Sequence, residues 1–157
     1  MGVIVADNTS LRLDLANEPQ PDAVLLLDPD KGGQAQIAAD DYVEEAPELV
    51  AEVASSSVSY DLNTKLEVYR RNGVLEYLVW RVRDRQIDWF VLRRRKYVRL
   101  PLDQTGLYRS KVFPGLWLDP AALVRGDLPA VQAALQRGLA SPEHAAFVAR
   151  LNAQPNP

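Results

Sequence analysis

Two carboxylates stand where an apolar residue would be cheaper. Asp22 follows Pro21 and opens the run Ala23-Val24-Leu25-Leu26-Leu27, and Glu52 interrupts Leu49-Val50-Ala51-Glu52-Val53-Ala54. Burying an unpaired carboxylate is costly, so each calls for a partner. A hard divalent cation such as Mg²⁺ is one such partner, and two strand carboxylates converging on it make a centre suited to phosphodiester hydrolysis. The other possibility is that Glu52 faces solvent on an edge strand or pairs with an arginine. Lys65 adds a cation on the apolar side of the helix that follows. Aimed at the strand ends, it would order a water nucleophile or stabilise charge developing on phosphate. Aimed outward, it would snorkel, its stem packed on Leu62 and Tyr69 and its ammonium in water.

Other chemistries lack their residues. The 157-residue chain has no cysteine, which excludes disulfides, thiolate metal sites and cysteine nucleophiles. His144 is the sole histidine, so a histidine triad or a multi-histidine metal site has no partners, and a surface place on the last helix is expected for it. Gly32-Gly33 lacks the lysine and serine of a phosphate-binding loop and reads as a turn. Trp80, Trp89 and Trp117 could stack on bases, but their apolar surroundings favour core packing.

The elements that must position these residues follow from the pattern. Asp22–Leu27 and Glu48–Ala54 read as apolar strands, and the residues between them, 28–47, read as loop. Tyr60–Asn72 is the clearest helix, with Asp61 able to cap its start and Gly73 placed as a left-handed stop. Glu76–Val82, Gln86–Leu92 and Tyr97–Leu100 form a meander. Residues 1–20 are weakly patterned, with a short strand possible at Leu11–Leu15, and 101–126 look irregular. Two short helices close the chain, near Leu128–Gly138 and Pro142–Leu151, the second capped by Ser141 with Pro142 in its first position. The whole chain reads as a single domain, with its core over about residues 20–120 and a helical tail over about 127–153.

Composition is that of a globular chain, 47% hydrophobic and 25% charged. No apolar run approaches the roughly 20 residues of a membrane helix, and no secretory signal is seen, so a cytoplasmic protein without a membrane partner is expected. The net charge of -3 hides a division along the chain. Residues 70–99 carry ten basic side chains against three acids, whereas residues 1–69 carry 14 acids against three basic side chains. Arg81, Arg83, Arg85, Arg93, Arg94, Arg95 and Lys96 are candidates to contact a polyanion. They would serve equally as solvated charges that protect strand edges from aggregation.

The order of these motifs resembles the Uma2 family, a bacterial group of endonucleases in the PD-(D/E)XK, restriction-endonuclease-like superfamily. Pro21-Asp22, Pro47-Glu48-Leu49-Val50-Ala51-Glu52-Val53-Ala54-Ser55-Ser56 and Tyr60-Asp61-(x)3-Lys65-(x)3-Tyr69 carry the likeness. So do Gly73-Val74-(x)-Glu76-Tyr77-Leu78-Val79 and Phe113-Pro114-Gly115-Leu116. The resemblance implies an α/β fold with a central mixed sheet flanked by helices. It also implies Asp22 and Glu52 as ligands of Mg²⁺ or Mn²⁺, and hydrolysis of nucleic acid, DNA before RNA. The superfamily's lysine position two residues after the glutamate holds Ala54 here, so the resemblance assigns that role to Lys65. Ser55 and Asp61 match recurrent family positions and become supporting groups around the centre. Arg81 takes a position that many relatives fill with aspartate. The stretch before Pro21 is shorter than the family's usual N-terminal segment, and a homodimer is expected to cover the sheet face left open. The alternative function is a catalytically silent relative that binds nucleic acid or protein.

Overall fold

The two apolar runs that carry Asp22 and Glu52 become neighbours in one sheet. In the computed structural model, which describes residues 2–13, 18–55 and 61–153, the strands are β1 (Val3–Asp7), β2 (Leu11–Arg12), β3 (Ala23–Leu27), β4 (Gln36–Ile37), β5 (Val43–Glu44) and β6 (Leu49–Ala54). A helical stretch follows, a wide π-type turn at Asp61–Lys65 running into α1 (Leu66–Asn72). Then come β7 (Glu76–Arg81), β8 (Gln86–Arg93), β9 (Lys96–Arg99), β10 (Tyr108–Arg109) and β11 (Trp117–Leu118). The chain continues into α2 (Pro120–Arg125), α3 (Leu128–Leu139) and α4 (Pro142–Ala153).

Six strands form the central sheet in the order β1-β3-β6-β7-β8-β9. Only β6 and β7 run parallel; the other neighbours are antiparallel. A parallel pair cannot be closed by a hairpin, and α1 lies in the crossover that joins these two strands. The result is a mixed sheet flanked by helices, consistent with the restriction-endonuclease-like fold that the resemblance implies.

Side chains alternate across the sheet and build two cores. On one face Val24, Leu26, Val50, Ala54, Tyr77, Val79 and Phe90 meet Tyr69 and Leu66 of α1. On the other, Leu49, Trp89 and Val91 meet Phe113 and, from α4, Phe147 and Leu151. Trp89 is thus a core residue, and Trp117 carries the Arg109 guanidinium 3.9 Å from its ring centre.

Several local expectations need correction. Residues 28–47 are more than loop: β4 pairs with β5 and β5 with β2, forming a small three-stranded sheet. Residues 1–20 supply β1, which pairs with β3 from Val3↔Leu27 to Asp7↔Ala23. The proposed strand at Leu11–Leu15 is two residues long where it is described, and positions 14–17 fall outside the described residues. Within 101–126 lie the β10–β11 pair and α2, whose first turn is capped by Asp119. His144 is half-buried and its Nδ1 lies 2.9 Å from the Pro114 carbonyl oxygen, which ties α4 to the Pro114-Gly115 turn. The helix stop and the helix cap read from sequence are present: Gly73 adopts a left-handed φ of 88°, and at the start of α4 Ser141 Oγ accepts the His144 N–H at 3.2 Å.

Candidate active site

The register between β3 and β6 puts the two acidic residues at the same end of this strand pair. The last paired residues are Ala23↔Ala51, and Asp22 precedes the first of them in the chain while Glu52 follows the second. Asp22 lies in the bend before β3, exposed, and its Oδ2 accepts the Val53 backbone N–H at 2.6 Å. That bond ties Asp22 to the strand carrying Glu52.

Glu52 points to the α1 face and is 5% exposed. It neither faces solvent nor pairs with an arginine. Its Oε2 accepts the Lys65 ammonium at 2.7 Å, and its Oε1 accepts the Tyr69 hydroxyl at 2.6 Å. Lys65 ends the wide turn and Tyr69 lies four residues on, so both reach the same carboxylate from one side of the helix. Lys65 therefore does not snorkel; its side chain is 28% exposed and its charge is directed inward. Burial, and then the neighbouring Glu52 charge, hold the Tyr69 hydroxyl far above its ordinary pKa, so it is a hydrogen-bond donor across the working pH range.

Among the described residues no group of three or more histidines, aspartates and glutamates gathers around a point. The pair Asp22 and Glu52 offers hard oxygen donors only. This is a set that fits Mg²⁺, which commonly takes one or two carboxylates and keeps several of its waters.

A family model described as Uma2, putative restriction endonuclease, matches residues 1–121. The chain belongs to the Uma2 family. Membership brings a nuclease class with it and accords with the sheet just described. No curated protein matches the chain.

The remaining candidate positions divide sharply. Ser55 is exposed just beyond β6, while the side chain of Asp61 and positions 56–60 lie outside the described residues. The basic candidates do not form one ribbon. Arg83 and Arg85 sit on the β7–β8 turn, Arg93, Arg94, Arg95 and Lys96 on the β8–β9 turn, all exposed. These turns lie at opposite ends of β8, about 23 Å apart at the usual rise of a strand. The register Glu52↔Val79 and Val79↔Asp88 places Glu52 nearer the end that carries Arg83 and Arg85.

Arg81 is not among the outward charges. Its side chain is 14% exposed, and it pairs with Asp88 at 2.8 Å and Asp84 at 2.5 Å while also reaching Gln86. Asp88 is buried and receives Arg99 on its other oxygen. Arg81 closes the end of the β7–β8 hairpin and has little left for a phosphate.

Sequence reasoning singled out Glu52 but passed over three other buried acids. Glu48 accepts the backbone N–H groups of Leu27 at 2.8 Å and Gln34 at 2.7 Å. Glu76 accepts four donors: Trp89 Nε1, the Ser110 hydroxyl, and the backbone N–H groups of Lys111 and Val112. Asp88 holds the two arginines. Only Glu52 of these four has a lysine and a tyrosine as its partners. The signal available in sequence was the spacing Lys65-(x)3-Tyr69, which puts an ammonium and a phenol on one helical face.

Proposed function

We propose that this Uma2 member is a metal-dependent endonuclease that hydrolyses phosphodiester bonds of DNA, with Asp22, Glu52 and Lys65 at its centre. The observation that carries the reading is the Glu52 carboxylate, buried in the central sheet and 2.7 Å from the Lys65 ammonium, next to the Val53 N–H that Asp22 accepts. Asp22 and Glu52 would hold Mg²⁺ or Mn²⁺. When bound, such an ion supplies Lewis-acid polarisation of a phosphoryl oxygen.

The chain's own groups do the rest. Glu52, with its second oxygen fixed by Tyr69, presents a defined carboxylate edge. Lys65, turned from Glu52 by a change of side-chain rotamer, donates to the attacking water or to a phosphate oxygen and offsets the charge developing there. Ser55 and Asp61 are retained as supporting groups. Arg83 and Arg85 contact phosphates near the cleaved bond, and Arg93, Arg94, Arg95 and Lys96 serve a longer substrate. Arg81 belongs to this basic set by position and acts on the substrate through the β7–β8 turn that it braces.

The reading includes a cytoplasmic homodimer. Val5, 71% exposed on edge strand β1, offers an apolar edge to a second copy, and sedimentation equilibrium tests it. No helix among the described residues is long and apolar enough to cross a membrane.

A second reading has one observation in its favour. Both Glu52 oxygens already have partners within the chain, so the site is electrostatically satisfied as a structural ion pair. On that reading the protein is a silent binding module. A cleavage assay on single- and double-stranded DNA and RNA separates the two, run with Mg²⁺, Mn²⁺ or EDTA for wild type and Glu52→Gln. Metal-dependent cutting that Glu52→Gln abolishes supports the nuclease. A folded wild type that cuts none of the substrates supports the module.

A further inference from the structure

The two partners of Glu52 are held very differently. Tyr69 is fully buried, its ring centre 5.1 Å from that of Tyr77, which in turn stacks on Phe90 at 6.2 Å and meets Tyr97 at 6.4 Å. Tyr97 is itself anchored, its hydroxyl donating to the Val74 carbonyl at 2.8 Å. The Tyr69 phenol therefore projects from a packed aromatic cluster and has little freedom to leave Oε1. Lys65 lies on a wide turn, partly exposed, with a long side chain that can swing away from Oε2.

We propose that Tyr69 is a positioning residue of the nuclease centre: its hydroxyl pins Oε1 of Glu52, so that Oε2, the oxygen now held by Lys65, is the one Glu52 yields to a cation. This rests on the nuclease reading above. It assigns unequal tasks to two oxygens that are chemically alike, and the inequality comes from packing. A carboxylate with one oxygen fixed keeps its plane when the other changes partner, and losing such an outer hydrogen bond commonly costs tenfold to a hundredfold in metal affinity or activity.

Tyr69→Phe removes one hydroxyl and keeps the ring that packs on Tyr77. The expected result is a tenfold to hundredfold fall in kcat with KM for a DNA substrate unchanged. The Mn²⁺ concentration needed for a given rise in melting temperature should increase about tenfold. A purely structural Tyr69 would lower the melting temperature and leave kcat, and the Mn²⁺ concentration needed for a given rise, within twofold of wild type; that result overturns the proposal. Should Tyr69→Phe fail to fold, the crystal structure of wild type with Mn²⁺ decides by the metal's anomalous signal. Mn²⁺ on Oε2 with the Tyr69 bond to Oε1 intact supports the assignment, and Mn²⁺ on Oε1 overturns it. If wild type neither cleaves nucleic acid nor responds to Mn²⁺, the nuclease reading itself fails and takes this assignment with it. Equal behaviour of an active wild type and Tyr69→Phe removes the assignment alone.

Discussion

The Lys65 ammonium meets Glu52 Oε2 at 2.7 Å in a setting where the carboxylate is almost fully buried and the lysine only partly so. The pair is therefore lopsided. Removing Lys65 takes from a buried carboxylate the cation that pairs with it and leaves it the Tyr69 hydroxyl, whereas removing Glu52 strands no buried charge, because the lysine is partly exposed. Lys65→Met should lose about 2–3 kcal/mol of stability, near the lower end of what breaking a buried pair costs. Glu52→Gln should lose about 1 kcal/mol, because its amide oxygen still accepts from Tyr69. Urea unfolding of the two single variants and the double variant checks this. The double variant should be more stable than the sum of the single losses implies, and additive losses would show that the pair is not coupled.

Glu76 is the most heavily engaged acid of the described residues, and it ties β7 to the segment 110–113 on the face away from Glu52. Burial pushes its pKa up, and its four hydrogen bonds work in the opposite direction. All four partners are donors, so Gln in its place would turn an NH₂ group towards at least one of them. Glu76→Gln should cost about 2–3 kcal/mol in chemical denaturation, the price of buried donors left without an acceptor. Residual cleavage per folded molecule should stay near wild type, since Glu76 lies on the opposite face. A variant as stable as wild type would show that the segment 110–113 holds without this carboxylate.

What the sequence made legible follows from which forces act locally. The strands around Asp22 and Glu52, the meander and the capped tail helices all have periodicity, turn residues and caps within a few positions of one another. β1 escaped notice because Val3-Ile4-Val5-Ala6 has no turn signal before it and draws its stability from pairing with β3, some twenty residues away. β4 and β5 are two residues each and exist through their pairing with β2 and with each other, which no local pattern encodes. At the proposed centre, Glu52 was readable as a charge inside an apolar strand and Lys65 as one on an apolar helix face, whereas Asp22 is exposed in the bend before β3. The Tyr69 bond was not, because a tyrosine on an apolar helix face is an ordinary core residue until the register of β6 shows what its hydroxyl meets. The division of the basic residues was hidden for the same reason: Arg81 and Arg83 differ by two positions, yet one turns inward to Asp88 and the other sits exposed on the turn.

Asp103 organises the turn before β10. The Thr105 hydroxyl donates to its Oδ1 at 2.7 Å, joined by the backbone N–H groups of Thr105 and Leu107, and Arg109 approaches the other oxygen at 2.6 Å. The hydrogen bond from Thr105, helped by these neighbours, lowers its pKa from 3.8 to about 2. Because the folded value lies below the unfolded one, the stabilisation is fully present above the unfolded value and fades as pH falls through the folded value. The stability gap between wild type and Asp103→Ala should be constant from pH 7 to 5, shrink below pH 4 and nearly vanish by pH 2. Thermal melts across that range check it, and a gap that persists at pH 2 would locate the effect in packing.

The two basic turns give the nuclease reading its sharpest spatial test. Arg83 and Arg85 lie at the end of β8 nearer Glu52, and Arg93, Arg94 and Arg95 lie at the far end. Each phosphate that a cation neutralises on duplex DNA contributes about -0.9 to the slope of log affinity against log salt. Replacing Arg83 and Arg85 together with Ala should flatten that slope by up to about 2 on any duplex long enough to bind. Replacing Arg93, Arg94 and Arg95 should flatten it only on duplexes longer than about 7 base pairs, the length that spans some 23 Å between the turns. Fluorescence anisotropy of duplexes from 6 to 24 base pairs, each titrated over salt, reads both effects. An equal response to the two sets at every length would mean that DNA does not lie along β8. A slope untouched by either would return all five arginines to the role of solvated charges that keep the sheet edge from pairing with its neighbours.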